Sequence, residues 1–371
     1  MQRVVDFEKN LYTCFGEEPD LFEVHIGSGL APLLKVSDGE EDSPLGKEIL
    51  KCRKMIDEDY GLLIPEIQIY ENETLCPYEY AFTFRGSRIV KSNVKPGHQL
   101  CLDTGTVTSP LNIDGWEKTK DPAFDMDGFF IPDSEVKRYK KAGYVCVSHE
   151  KGIRVHLYEF IRKYRTKLLD QCMVNNLVEK VRKINPDVVS EVFYINHFSV
   201  SDLKLILKLL LDEEIAIRDM NTILEAIACY HLDTLKPYEL AEKVRQNLAV
   251  SFIRKYVEED KKLHLIRVSQ GVSEFLNDNA YYPDSRVELP YCSLKPTDRK
   301  KFIKAVSNAL LITKEKNLYP IVICVSSVRF LFLQAIHREM PGVRVISDLE
   351  LYEFKEQYPI EIEGVLAFND E

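Results

Sequence analysis

The segment PIVICVSSVRFLFLQAIHREMPGVRVIS, residues 320–347, carries the clearest signal for the fold. It places a helical pattern, VRFLFLQAIHREM, between two short β-rich runs, PIVICVS and VRVIS. KKFIKAVSNALLITKEK, which precedes the segment, predicts another helix, and IEIEGVLAF, which follows it, predicts a last strand. Because strands and helices alternate, the final third of the chain is predicted to form an α/β layer structure.

The middle of the chain has a different pattern. Strand signals stop at Gly152, and one helical pattern follows another up to about Tyr256. Ser199 and Asp202 approximate a capping box ahead of the apolar run LKLILKLLL. This part of the chain is therefore predicted to be helical throughout.

The first 150 residues mix strand and helix signals. LFEVHIGSGLAPLL predicts a strand that enters a glycine-rich turn, a helix that ends at Gly61 follows, and YEYAFTFRGSRIV predicts a β-hairpin. The runs LCLD, GFFI and YVCVS then predict three strands around a short helix. That helix is predicted to be capped by Asp133 or Ser134 and to end at Gly143, which gives a small α+β insert.

The composition excludes several classes of function. A formal net charge of -10 over 371 residues argues against a nucleic-acid partner, which requires a clustered basic face. The nine cysteines include no C-x-x-C pair, so neither a zinc site nor a disulfide framework is predicted. The most apolar run, LKLILKLLLDEE, is interrupted by two lysines and is shorter than the ~20 residues of a membrane span, so no transmembrane segment is predicted.

No motif in the sequence indicates catalysis or a cofactor. The glycines of GSG match neither nucleotide-binding pattern, and His149, Glu150 and His156 lack the H-E-x-x-H spacing of a zinc enzyme. The acidic runs LDEEIAIRD and VEEDKK are typical of solvated helix ends. We therefore predict no catalytic, cofactor-binding or metal-binding residues, and no enzyme activity.

Two short stretches are more informative about binding. KTKDPAFDMDGFFIPD, residues 118–133, places several apolar side chains in a segment whose first part is predicted to be a loop. Phe129 and Phe130 lie in the predicted strand GFFI and are expected to fill the core of the insert, whereas Phe124 is expected at the surface. Arg218 and Asp219 predict either a salt bridge at a helix start or part of an interface between subunits.

The sequence resembles the FHIPEP family, the export-gate proteins of flagellar and virulence type III secretion, along residues 21–368. Every matching segment occurs in the family's order. The segments are IGSGLAPLL, YGLLIPEIQIYENETLCPYEY, RGSRIVKSNVKPGHQLCLD, DPAF, AGYVCVS with the following VHL, IAIRDMNTILEAIACY, and PIVICVSSVRFLFLQAIHREMPGVRVISDLEL.

The resemblance implies a mixed α/β and α fold in four parts, after a leader at residues 1–20. The implied parts are a thioredoxin-like first α/β domain (21–97 plus 149–168), an inserted small α+β domain (98–148), a helical domain (169–250) and a C-terminal α/β domain (251–371). These boundaries follow the breaks in the strand and helix signals.

The resemblance also implies a function. Family members are docking platforms at the cytoplasmic face of the bacterial cell membrane, where they receive export chaperones with their substrates and contact other export-apparatus proteins. They form a nonameric ring when they are anchored in the membrane. The alternative is a stand-alone scaffold or regulatory homologue without export activity.

The family's chaperone-binding surface, between the first two domains, carries over to four residues of this chain. The implied residues are Asp121, Pro122, Phe124 and Val155, with Asp121 acting through its charge and Phe124 as an apolar anchor. Val155 stands where flagellar members have a hydroxyl residue, so it keeps an apolar lining without a hydrogen-bonding group. Arg218 and Asp219, singled out above from the sequence, are the candidate subunit interface of such a ring.

Overall fold

The computed structural model describes residues 20–36, 42–231 and 236–368. The predicted leader at residues 1–20 therefore lies outside the described part of the chain, apart from Asp20. The chain divides into two compact units, the first ending at Leu168 and the second beginning at Leu169. Mixed α/β structure, as predicted, is present in the molecule.

The first unit contains eight strands and three α-helices among its described residues. Their bounds are β1 Phe22–Ile26, α1 Pro44–Tyr60, β2 Gln68–Glu71, β3 Glu79–Phe84, β4 Ser87–Asn93, β5 His98–Leu102, β6 Glu117–Lys120, β7 Asp127–Pro132, α2 Val136–Lys141, β8 Val145–Val147 and α3 His149–Leu168. A 3-10 helix at Ser28–Leu34 follows β1.

Strands β1 to β4 form one mixed sheet in the order β2-β1-β3-β4. β1 is parallel to β2 and antiparallel to β3, and the predicted hairpin is the antiparallel pair β3–β4. Phe22 of β1 and Phe82 of β3 pack on Phe160 of α3, with ring centroids 5.8 and 5.6 Å from it. Apolar alternation on the strands and the apolar stripe of the helix together form this core.

Local signals explain the bounds of α1. The Ser43 hydroxyl accepts a hydrogen bond from the Gly46 amide, and Pro44 occupies the first turn, where its missing N–H costs nothing. Gly61 ends the helix in the left-handed region with φ of 73°, as the sequence predicted. Gly27 is required for a different reason, because a Cβ there would lie 2.0 Å from the Cys76 carbonyl oxygen.

Strands β5 to β8 form a second sheet, in the order β6-β7-β5-β8, which confirms the predicted insert signals. Its core is closed by α2 and includes Phe129, Ile131 and Tyr139. Two details of the prediction were wrong. The residue before α2 is Glu135, without a side-chain cap, and residues 118–120 belong to strand β6 because they pair with β7.

The second unit begins with helices, as predicted, and ends in an α/β structure. Its elements are α4 Gln171–Arg182, α5 Pro186–Ser190, a π-helix Glu191–Ile195, α6 Val200–Asp212, α7 Met220–Tyr230, α8 Pro237–Ile253, a 3-10 helix Arg254–Tyr256, β9 Leu263–Val268, α9 Gln270–Asp278, β10 Ala280–Tyr281, β11 Tyr291–Cys292, α10 Pro296–Ala309, α11 Leu311–Glu315, β12 Ile321–Cys324, α12 Ser326–Ile336, β13 Arg344–Ser347, α13 Leu351–Phe354 and β14 Ile360–Leu366.

The final third contains a parallel sheet in the order β13-β12-β9-β14. The α/β alternation predicted for this part is confirmed, although sequence reasoning missed β9. The capping box predicted before α6 is only half formed. Ser199 accepts a hydrogen bond from the Ser201 amide, whereas the Asp202 carboxylate pairs with Arg286 at 3.0 Å.

Candidate partner-binding site

The DPAF stretch forms the tight turn of the hairpin between β6 and β7. The Asp121 amide donates to the Met126 carbonyl oxygen at 2.8 Å, and the Asp125 amide donates to the Asp121 carbonyl oxygen at 2.9 Å. Asp125 closes the turn with φ of 56°. The backbone therefore makes a single helical turn that ends in a left-handed residue, an arrangement common where a turn is not continued into a helix.

Phe124 projects from this turn with 52% of its surface exposed, and Pro122 beside it is also exposed. Phe129, five residues later, is 5% exposed in the core of the insert, which confirms its predicted role. Phe130 is half-buried, lies under the Lys95 ammonium 5.9 Å from its ring centroid, and does not belong to the core of the insert, so its predicted core role was wrong. The same hairpin thus separates an exposed aromatic ring from a core one.

Asp121 is buried, with 7% of its surface exposed, although the turn around it is exposed. One of its carboxylate oxygens, Oδ2, accepts hydrogen bonds from the amides of Ala123 at 3.1 Å and Phe124 at 2.8 Å. The exposed carboxylate of the turn belongs to Asp125, which pairs with Lys120 at 2.8 Å. A contact of the Asp121 charge with a partner stays a prediction.

Val155 is half-buried on α3 and precedes His156, which is buried. The Nδ1 atom of His156 is 2.8 Å from the Tyr80 hydroxyl oxygen. Burial lowers the pKa of His156 to about 4, and the negative charge of Asp121 acts against that shift. The part of α3 that carries Val155 therefore packs on β3, and the grouping of Val155 with the DPAF turn stays a prediction.

Arg218 and Asp219 belong to the second unit, where both are exposed. Asp219 caps α7 by accepting hydrogen bonds from the Thr222 amide at 3.1 Å and the Thr222 hydroxyl at 2.7 Å. Over residues 20–36, 42–231 and 236–368, no ion pair joins Arg218 to Asp219, so the salt-bridge alternative was wrong. The interface alternative stays a prediction.

The candidate metal ligands of the first unit have other roles. The Nε2 atom of His149 lies 2.9 and 2.8 Å from the carbonyl oxygens of Lys95 and His98. Glu150 accepts a hydrogen bond from the Ser148 hydroxyl, and His156 faces Tyr80. The three side chains that the sequence places near one another therefore do not converge on a common point.

Sequence reasoning missed a group in the second unit with ligand atoms within 4.8 Å of one another, formed by Asp260, His264 and Glu361. His264 bonds Asp260 through Nε2 and Glu363 through Nδ1, and Lys262 pairs with Glu361 at 2.6 Å. Burial acts to lower the pKa of His264, but the hydrogen bonds to Glu363 and Asp260 outweigh it and raise the pKa. The arrangement is an ion-pair network.

The second unit also buries a larger ionic cluster, which we call the charged core: Glu213, Glu242, Arg245, Arg329 and Glu350. Arg329 is fully buried and pairs with Glu213 at 2.7 Å and with Glu242, while Arg245 pairs with Glu350 at 2.7 Å. Burial acts to raise the pKa of Glu213, but Arg245 and Arg329 outweigh it and lower the pKa. The prediction that the acidic run LDEEIAIRD is solvated was therefore wrong for Glu213.

No helix in the described part of the chain is long and apolar enough to cross a bilayer. Its eight described cysteines are free thiols, and half of them are buried. Burial raises the pKa of the Cys52 thiol to about 12, which makes it unreactive at neutral pH. The exposed turn around Phe124 is the candidate functional site that the sequence indicated.

Comparison with known proteins places the chain in a family. The model of the FHIPEP family matches residues 12–356. The flagellar biosynthesis protein FlhA of Borreliella burgdorferi is 28% identical over 335 residues, which are 90% of this chain and 46% of that protein. FlhA of Bacillus subtilis is 27% identical over 332 residues, covering 90% of this chain and 48% of that protein. The chain thus spans about half the length of these curated relatives.

Solved structures share the fold. The Chlamydia pneumoniae CdsV protein superposes with a TM-score of 0.80 at 21% identity and covers 97% of this chain and 99% of its own. The nonameric EPEC SctV-C structure superposes with a TM-score of 0.73 at 15% identity and covers 95% of this chain and 99% of its own. A structure of CdsV in complex with CdsO also matches, with a TM-score of 0.77 at 20% identity and coverage of 95% and 99%.

Proposed function

This chain belongs to the FHIPEP family, and we propose that it is a docking platform of a flagellar or type III protein export gate. In this role it binds export chaperones together with their substrates, and it performs no catalytic step. The observation that carries the proposal is the exposure of Phe124 at the end of a tightly hydrogen-bonded turn. A large exposed aromatic side chain on a hydrogen-bonded turn is a good anchor for a partner.

The site we propose comprises Asp121, Pro122, Phe124 and Val155. It lies where the 98–148 segment meets the segment formed by residues 21–97 and 149–168, in a four-part organisation completed by residues 169–250 and 251–371. The charge of Asp121 opposes the lowered pKa of His156, which supports a position of the turn on the side of α3 that carries His156. The half-buried Val155 supplies an apolar surface next to His156.

Assembly into a nonameric ring at the inner face of the bacterial cell membrane is the second element of the proposal. Two similar structures are nonamers, and the similar protein CdsV has been solved in complex with CdsO. We place Arg218 and Asp219 at the subunit interface because both are exposed. Other export-apparatus proteins are then further partners of the ring.

The docking proposal is tested by titrating the chain with export chaperones from its own genome, each purified with its substrate bound. Calorimetry gives the affinity, and amide exchange maps the contact. We expect protection at residues 121–126 and around Val155, but none around Tyr282, an aromatic residue of the second unit with similar exposure, 53%. Absence of binding for every chaperone complex, or protection confined to other residues, would overturn the proposal and leave the scaffold alternative.

The ring proposal needs a different experiment. Linkage to a membrane raises the effective concentration of the subunits, so we expect a mainly monomeric chain in solution and nonamers on vesicles that tether it at high density. Chemical cross-linking counts the subunits, and Arg218→Glu should reduce the nonamer. A tight ring in solution at micromolar concentration, or no oligomer on vesicles, would contradict this part.

A further inference from the structure

The turn that carries Phe124 has the sequence pattern of a helix N-terminus. Asp121 stands at the cap position, Pro122 follows at the first helical position, and the next two residues are Ala123 and Phe124. Proline has no N–H, so the first two amides that need an acceptor are those of Ala123 and Phe124. The Asp121 carboxylate accepts both of them, at 3.1 and 2.8 Å.

Asp121 is largely buried, and one oxygen of its carboxylate is used by the turn itself. Asp121 is 7% exposed, and its charge acts on two buried groups of the neighbouring sheet and helix, Tyr80 and His156. Around it, the exposed charges of the turn pair with one another, since Lys120 holds Asp125 at 2.8 Å.

We propose that Asp121 is a positioning residue that acts through Phe124, by fixing the two amides of the turn so that the aromatic ring points outward. In this role Asp121 contributes to docking through the cap and not through its charge. This inference rests on the proposed docking function and changes the role of one of its residues. The role requires only a hydrogen-bond acceptor on a short side chain, so a neutral capping residue can replace Asp121.

The geometry predicts which substitutions are tolerated. Asn and Ser accept amide hydrogen bonds at cap positions, so Asp121→Asn and Asp121→Ser keep the turn without the charge. Ala removes the acceptor and leaves the amides of Ala123 and Phe124 unsatisfied. Asp103→Ala is the matched control, because Asp103 accepts one amide, from Gly105 at 2.8 Å, in an exposed turn of the same sheet.

The first measurement needs no partner. Amide exchange at Phe124 should quicken roughly tenfold in Asp121→Ala, as expected when a cap acceptor is lost, and should change less than about threefold in the Asn and Ser variants. Equal exchange in the parent chain and in Asp121→Ala would overturn the positioning role. This result stands even if no chaperone complex binds the parent chain, an outcome that would refute only the docking proposal.

The second measurement is the affinity for the chaperone complex that binds the parent chain most tightly. Asp121→Ala should weaken binding roughly five- to tenfold, and the Asn and Ser variants and Asp103→Ala by less than about twofold. In the Phe124→Ala background, Asp121→Ala should have no further effect, because residues that act through one another are not additive. Additive losses of binding free energy in the double variant would contradict the positioning role. So would an Asp121→Asn variant that binds as weakly as Asp121→Ala and whose affinity depends less on salt, because both results would show that the Asp121 charge contacts the partner.

Discussion

Two carboxylates of this chain are buried to a similar degree but have different partners. Asp121 in the first unit is 7% exposed and accepts backbone amides of its own turn. Glu350 in the second unit is 2% exposed and pairs with the Arg245 guanidinium at 2.7 Å, while its other oxygen accepts the Ser347 amide. One interaction is local along the chain, and the other joins residues 105 positions apart.

This difference shows what each buried charge stabilises. A carboxylate that caps its own turn orders four or five residues, and its loss affects mainly what that turn presents at the surface. A carboxylate that pairs with a buried guanidinium joins distant elements, and its loss leaves an uncompensated charge in the interior. Substitutions in the charged core should therefore change folding stability, and substitutions in the Phe124 turn should change binding.

The largest effect on unfolding is expected for Arg329→Met. The substitution removes the cation between Glu213 and Glu242 in the charged core and should cost about 3–5 kcal/mol of unfolding free energy. Amide exchange of the helices and strands of the second unit measures it. Chaperone affinity of the folded protein should not change, and Arg299→Met, which breaks a surface pair with Glu339, is the control with a much smaller effect.

Phe129→Ala tests the opposite side of the hairpin. It truncates a core ring of the insert and should cost about 3–5 kcal/mol through lost burial and the cavity left behind. The single tryptophan, Trp116, packs against this core, so its fluorescence reports the unfolding midpoint. An unfolding midpoint equal to that of the parent chain would contradict the assignment of Phe129 to the core.

The pH dependence should differ in sign between the two units. His156 has a pKa of about 4 in the fold, below its ordinary value of 6.5, so the unfolded chain takes up the proton first and stability falls as the pH drops from about 6.5 to 4. His264 has a raised pKa in the fold. Its contribution to the free energy of unfolding is therefore complete below pH 6.5 and is lost as the pH rises through the pKa of the folded state.

Denaturation of the chain from pH 4 to 8, followed by amide exchange in each unit, checks both signs. His156→Phe should flatten the loss of stability of the first unit at low pH, and His264→Asn should flatten the dependence of the second unit near neutral pH. If His156→Phe leaves the acid limb of the first unit unchanged, the buried neutral imidazole is not what causes it.

The sequence predicted the elements whose signals are local. The strand and helix alternation of residues 320–347, the hairpin around Gly86 and the cap at Gly61 are all confirmed, because period and turn chemistry depend on neighbouring residues. The sequence predicted a loop at residues 118–120 because these residues are polar, and this prediction was wrong. They form strand β6 only because β7 offers a pairing edge.

The burial of charges depended on contacts that the sequence does not show. Glu213 looks like any other residue of an acidic run, and its burial follows from Arg245 and Arg329, which are 32 and 116 positions away. Asp121 was predicted near Phe124, but its burial is a property of the folded chain that the DPAF pattern does not show. The exposure of Phe124 agreed with the prediction, because a turn between two strands places its middle residues at the surface.

The most direct test of the account is Phe124→Ala, with chaperone affinity and the denaturant midpoint measured on the same preparation. Truncation of a partly exposed anchor should cost on the order of 2 kcal/mol of binding free energy and leave the midpoint essentially unchanged. A large drop in midpoint with unchanged affinity per folded molecule would show that Phe124 stabilises the fold, and would contradict its assignment to a docking site.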